Sequence, residues 1–194
     1  MRSAEITRET KETQIQLNLN VDGNGTFTGT SGIGFFDHML TAFAVHGGFA
    51  LTLHMQGDLH VDGHHTAEDC GIVLGQAIAR ALGDKKGICR YGHFLLPMDE
   101  TLVACAVDLC GRPYLNYNYE FTVPMLGELD TQLIREFFYA VSYSAGMNLH
   151  IKVLDGMNAH HIAEAMFKAF ARALDMAVQR DDRVEGVPST KGAL

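Results

Sequence analysis

The sequence predicts an α+β fold made of two similar halves, each running strand, strand, helix, strand, helix, with the helices packed between two small mixed β-sheets. Three observations lead there. The motif His-His-x-x-Glu stands at residues 64–68 and returns at 160–164, 96 residues on. "ETQIQLNLNVDG" (12–23) and "ETLVACAVDLCG" (100–111) both open on Glu-Thr and reach glycine after the same interval, 88 residues apart. "LH" at 53–54 returns at 149–150, again 96 residues on. Several matches in one order read as an internal duplication in which the second half gained about eight residues near "VPMLGELD". A length of 194 residues suits a single domain, 1–194, with pseudo-repeats of about 8–86 and 87–182 related by a pseudo-twofold axis.

Each element has its own signal. Gln14 to Val21 alternates polar and apolar, the strand period, and "DGNG" (22–25) reads as a hairpin turn. Phe35 to His46 has helical spacing and stops at Gly47-Gly48; 50–61 reads as a strand. His64 to Leu82 reads as a helix stopped by Gly83. "KKGICRYGHFLLP" carries an extra strand between the halves. The second half then gives strands near 99–109 and 113–122, a helix from Asp130 to Ala145 stopped by Gly146, a strand near 147–154 and a helix from about His160 to Arg180. The polar tail "RDDRVEGVPSTKGAL" is not helical.

Composition narrows the function. A net charge of −8 argues against a general binder of nucleic acid or anionic membrane. No run is long enough to span a bilayer, and "MRSAEITRETKET" lacks the apolar stretch of a signal peptide. The four cysteines, Cys70, Cys89, Cys105 and Cys110, form no CxxC pair, which suits small reduced core residues in a cytoplasmic protein.

The duplicated motif carries the chemistry. At a helix start, residues i and i+4 share a face and i+1 points elsewhere. His64 and Glu68 can therefore hold one metal ion while His65 aims at another. His160 and Glu164 can do the same, with His161 aimed elsewhere. Imidazole and carboxylate without thiolate favour Mn, Fe or Zn over Ca or Mg, and the carboxylates favour octahedral Mn(II). The spacing leaves open whether one chain or neighbouring subunits complete each site. His38, in "FFDHML", is a further ligand or an ordinary helix-start residue. His46 serves the core or a helix end, His54 and His150 have structural roles at matching strand positions, and His60 and His93 carry no assignment. Basic residues are few. Arg90, Arg112, Lys168 and Lys191, with Ser189, would suit a small anion such as a phosphate, though each alone reads as a solvated surface charge.

Read together, "RETKET", "FDHML", "GDLHVDGHHTAED", "RYG", "PMDET", "DLCGRPYL", "NAHHIAEAMFKAFARAL" and "VPSTKG" resemble the imidazoleglycerol-phosphate dehydratase family over nearly the whole chain, from about Arg8 to Gly192. The resemblance implies the monofunctional form and a ribosomal protein S5 domain 2-like fold. It also implies a lyase of histidine biosynthesis that converts D-erythro-imidazole glycerol phosphate to imidazole acetol phosphate and water. Two Mn(II) ions per active site and a homo-oligomer of about 24 subunits, with active sites between subunits, follow from the same resemblance. Carried onto this chain, the metal ligands are His38, His64, His65, Glu68, Glu136, His160, His161 and Glu164. Glu136 stands in "REFF" where relatives commonly have histidine, and Ala42 stands in "MLTAF" where many have glutamine. Glu12 matches the acid/base glutamate, with His65 and Glu164 as its catalytic companions. Glu12, Arg90, Arg112, Lys168, Ser189 and Lys191 match substrate- and phosphate-binding positions.

The implied reaction has a physical difficulty. The hydrogen to be removed sits on a carbon with no adjacent carbonyl, so no ordinary enolate can form. The imidazole ring must be the electron sink. Metal on the ring nitrogens favours imidazolate, which can expel the hydroxyl of the attached carbon and give a diazafulvene-like intermediate. Loss of the neighbouring C–H proton then gives an enol that tautomerises to the ketone. Two other readings fit His/carboxylate clusters: a dinuclear phosphate-ester hydrolase, and an oligomer in which metal joins subunits without chemistry.

Overall fold

In residues Thr13–Asn20 every second side chain is apolar, so the strand period puts Ile15, Leu17 and Leu19 on one face, and all three are buried. The computed structural model describes residues 1–192. Its first half comprises β1 (Ser3–Glu9), β2 (Thr13–Asn20), β3 (Thr26–Thr30), α1 (Gly34–Gly47), β4 (Ala50–Gly57) and α2 (His64–Leu82). The second comprises β5 (Tyr91–Met98), β6 (Thr101–Asp108), β7 (Tyr114–Tyr117), a small hairpin of β8 (Met125–Leu126) and β9 (Leu129–Asp130), α3 (Gln132–Ala145), β10 (Asn148–Asp155) and α4 (Ala159–Val178). The sheets have the same order, β1-β2-β4-β3 and β5-β6-β10-β7, each antiparallel except for its last, parallel pair. The segment "VPMLGELD", where the sequence reading expects the second half to be about eight residues longer, coincides with the β8–β9 hairpin, which has no counterpart in the first half.

Three expectations need correction. Each half has three strands of its four-stranded sheet before its first helix, not two, and the second adds the β8–β9 hairpin. The strand expected as an extra between the halves is β5, and its counterpart β1 escaped notice because only Ala4 of this edge strand is fully buried. The segment 22–25 is not a hairpin turn, because β3 pairs with β4 rather than β2. It crosses the start of β4 so closely that a Cβ on Gly23 would lie 2.1 Å from the Ala50 nitrogen. Finally, β4 ends at Gly57 and β7 at Tyr117, short of the expected 61 and 122. The released loop at 58–63 carries Asp58 and Asp62, both bonded to the first His-His motif.

The helices form the middle layer. α2 packs on β1 and β2, α4 packs on β5 and β6, and the layers join through α2 against α3 and α1 against α4. Aromatic rings fill the centre: Phe137 stacks on Phe167 (5.2 Å between centroids) and Phe43 on Phe170 (5.5 Å), with all four rings buried. α2 and α3 approach through glycine. An added Cβ would lie 2.7 Å from the Phe137 carbonyl oxygen at Gly71 and 2.6 Å from that of Val141 at Gly75. Alanine at position 75 would gain about 1 kcal/mol of helix propensity, but such overlap with backbone costs about 1–3 kcal/mol. The overlap dominates, so Gly75→Ala should lower the urea-unfolding midpoint and Gly75→Val should lower it further; an unchanged or raised midpoint for both would show that the helices can move apart freely.

Candidate metal and anion site

Both His-His-x-x-Glu motifs sit where a helix begins, and each is anchored two residues before its first histidine. Asp62 Oδ1 accepts the His64 backbone N–H (2.8 Å), and Asn158 Oδ1 accepts those of His160 (2.9 Å) and His161 (3.4 Å). These bonds satisfy orphan donors of the first turn. The adjacent rings then stand nearly perpendicular, at 81° for His64 and His65 and 85° for His160 and His161. Each first histidine faces its own i+4 glutamate: His64 Nε2 is 3.8 Å from Glu68 and His160 Nε2 is 3.1 Å from Glu164.

Each second histidine is held from behind by a carboxylate. His65 Nδ1 lies 3.0 Å from Asp58, and His161 Nδ1 lies 2.8 Å from Glu100. An ionised carboxylate only accepts, so Nδ1 carries the hydrogen and Nε2 keeps its lone pair for a metal. In the absence of metal these bonds raise both imidazole pKa values, chiefly through Asp58 for His65 and through Glu100 for His161. Glu100 also accepts the N–H groups of Met157 (3.2 Å) and Asn158 (2.8 Å). Its pKa falls to about 2, with His161 the largest cause. On the Nε2 side, Glu12 lies 3.8 Å from His65 and Asp99 lies 3.8 Å from His161.

His38 joins the second motif. Among the described residues, His38, His160 and Glu164 are the group of three whose ligand atoms all lie within 4.8 Å of one another. His38 Nε2 and His160 Nε2 approach the same Glu164 oxygen, at 3.4 and 3.1 Å. Adjacent ligands on one cation stand roughly 3 Å apart, so the donors suit a Mn, Fe or Zn ion with little movement. Glu164 is buried, which opposes ionisation, yet Lys168 on its other oxygen (2.6 Å) and His38 hold its pKa below the usual value.

The first motif is less complete. Glu136 is the fifth residue of α3, as His38 is the fifth of α1. Yet Glu136 pairs with Arg135 (3.0 Å) beside a cavity lined by Tyr117, Tyr119 and Phe121, and no group of three forms around His64 and Glu68 among the described residues.

Four of the predicted anion-binding residues line one cavity: Arg90, Arg112, Ser189 and Lys191. Arg90, in a left-handed conformation (φ 69°), donates to both oxygens of Asp108 (2.7 and 3.2 Å) and to the Pro188 carbonyl (2.8 Å), which fastens the tail over the cavity. Arg112 and Lys191 form no ion pair among the described residues. Lys168 lies apart from this cavity, on Glu164.

Several other positions are now placed. Ala42 is buried in α1. His46 closes that helix, its carbonyl accepting from Arg172 (3.2 Å) and its pKa lowered by burial and by Lys168. The four cysteines are free, three of them buried. Sequence reasoning missed Asp58, Asp62, Glu100 and Asn158. Asp62 and Asn158 were findable, since they stand 96 residues apart in register with the motif, and Glu100 is the repeat partner of Glu12. Asp58 has no such signal.

No described helix is long and apolar enough to cross a membrane. Residues 31–174 match the imidazoleglycerol-phosphate dehydratase family. The chain is 64% identical over 193 residues to the imidazoleglycerol-phosphate dehydratase of Lachnoclostridium phytofermentans, covering 100% of this chain and 98% of that one. It is 57% identical over 193 residues to that of Acetivibrio thermocellus, with 100% and 99% covered. Among solved structures, the Staphylococcus aureus dehydratase superposes with a TM-score of 0.84 at 40% identity, covering 92% of this chain and 99% of that one. The Pyrococcus furiosus enzyme in complex with (S)-C348 gives 0.83 at 36%, with 97% and 100% covered. With the motif, its anchors and full-length relatives in agreement, this chain belongs to the imidazoleglycerol-phosphate dehydratase family.

Proposed function

We propose that the chain is a hydro-lyase of histidine biosynthesis that dehydrates D-erythro-imidazole glycerol phosphate to imidazole acetol phosphate. The observation that carries this reading is the pair of His-His-x-x-Glu motifs locked at two helix starts, in a chain whose full-length relatives bear the name of that dehydratase. Two Mn(II) ions per active site, held by His38, His64, His65, Glu68, Glu136, His160, His161 and Glu164, would supply the Lewis acidity that makes the substrate's ring N–H acidic near neutral pH.

The chain's own residues do the remaining work. Asp58 and Glu100 fix the tautomers of His65 and His161. Lys168 keeps Glu164 ionised and, as the resemblance implies, contacts the substrate from outside the cavity that holds the phosphate. Arg90, Arg112, Ser189 and Lys191 clamp the phosphate and so hold the carbon chain in one orientation, which supplies a large share of the rate. Glu12 is the principal acid/base group, protonating the departing hydroxyl and taking the C–H proton, with His65 and Glu164 holding the ring beside it.

The active sites lie between subunits of a cytoplasmic homo-oligomer, in the 24-subunit form that the resemblance implies. The incomplete first motif supports sharing between subunits. Large apolar side chains beside both motifs support it too: Val61 is 61% exposed and Met157 85%. The chain acts as a single domain, 1–194, of two pseudo-repeats, about 8–86 and 87–182, a reading that the identical sheet orders support.

Metal-stripped protein given the substrate with and without Mn(II) tests the activity. Mn-dependent ketone with no free phosphate is expected. Phosphate release without ketone would move the assignment to a hydrolase. A second test reads the His161–Glu100 pair in metal-free protein. His161 has a raised pKa, so its contribution to stability is full below its ordinary value of 6.5 and is lost as pH rises through the raised one. Glu100 has a depressed pKa, so its contribution is full above 4.5 and is lost as pH falls towards about 2. Glu100→Gln should therefore lower the Tm most between those ordinary values and less at pH about 8. A gap independent of pH would mean that the two groups do not titrate against each other.

A further inference from the structure

α2 carries a second i, i+4 pair beside His64 and Glu68, namely His65 and Asp69, and Asp69 is not placed to bind metal. Its side chain is buried and bonded inward: Oδ2 accepts from Thr13 Oγ1 (2.5 Å) and Oδ1 pairs with Arg8 (2.9 Å). Thr13 is itself buried, and because its hydroxyl hydrogen goes to the carboxylate, Thr10 is the donor between the two hydroxyls (3.3 Å), its hydrogen shared with the Thr13 carbonyl (3.5 Å). Thr10 Oγ1 in turn accepts the backbone N–H groups of Glu12 (3.1 Å) and Thr13 (2.9 Å). One directed chain of hydrogen bonds thus runs from the β1–β2 turn that carries Glu12 to the helix that carries His64, His65 and Glu68. The second half lacks it. The position of Asp69 is taken by Ala165, and Thr101, the counterpart of Thr13, bonds to Glu100 instead (3.2 Å). There the glutamate itself is held by His161 and two backbone N–H groups.

We infer that Thr10, Thr13 and Asp69 are positioning residues that hold Glu12 over the first His-His motif, whereas Glu100 is held by bonds to its own carboxylate. This rests on the acid/base role proposed for Glu12. A displacement of about 1 Å at a reacting group can cost 10²-fold in rate, so Thr13→Val, which keeps the shape and removes the donor, should lower kcat about 10- to 100-fold with little change in KM or bound Mn(II). Thr13→Ser should restore most of it. The decisive measurement is a double-mutant cycle with Glu12→Gln. If Thr13 acts through Glu12, Thr13→Val costs nothing further in the Glu12→Gln background. The full loss in both backgrounds, a loss of Mn(II) that tracks the loss of rate, or parent-like kcat in Thr13→Val would each overturn the inference. Should Thr13→Val fail to assemble, Thr10→Val enters the same cycle. Parent protein without Mn-dependent ketone formation would instead count against the dehydratase reading, and Glu12→Gln at full rate against the role of Glu12, so the failures are separable.

Discussion

Two neighbouring residues in the first turn of a helix are rotated by about 100° from each other, and a residue four places on returns to the first one's face. That constraint organises this molecule. It makes a His-His pair look in two directions, makes the glutamate at i+4 serve only the first histidine, and leaves the second to be oriented from elsewhere. The Asp62 and Asn158 anchors fix the turn, and the Asp58 and Glu100 carboxylates fix the outward rings. Rigid sheets behind α2 and α4 then hold those starting turns in place.

Much of this was legible in the sequence. The duplicated motif, the interval between Glu-Thr pairs and the strict alternation in β2 are local signals, and all four helices follow from periodicity closed by glycine or by a polar start. What escaped was set by distance along the chain. β1 is an edge strand with few inward apolar residues, so its alternation is weak, and the hairpin reading of 22–25 failed because β4 inserts between strands adjacent in sequence. Lys168 entered the anion set by charge and by resemblance, and its spacing of four from Glu164 on α4 also gives it a carboxylate partner. Glu100 lies 61 positions from the histidine it orients, beyond any local pattern.

The halves repeat in topology but not in electrostatics. In one, the glutamate entering the second strand approaches the Nε2 side of a histidine and stays half-exposed. In the other, the corresponding glutamate sits behind the histidine, bonded to Nδ1 and to two backbone N–H groups, with its pKa driven to about 2. One backbone plan therefore yields two carboxylates in different surroundings, one bonded to an imidazole and two backbone N–H groups, the other left open on the metal-facing side of a histidine.

The close approach of α2 and α3 has a metrical consequence. Gly71 follows Glu68 by three residues and meets the carbonyl of Phe137, the neighbour of Glu136. The absence of a Cβ at that point sets how far apart the two helices stand at the turns that bear these carboxylates. The glycines of α2 thus act as a gauge block, and any side chain added there would widen the span between two acidic groups without touching either.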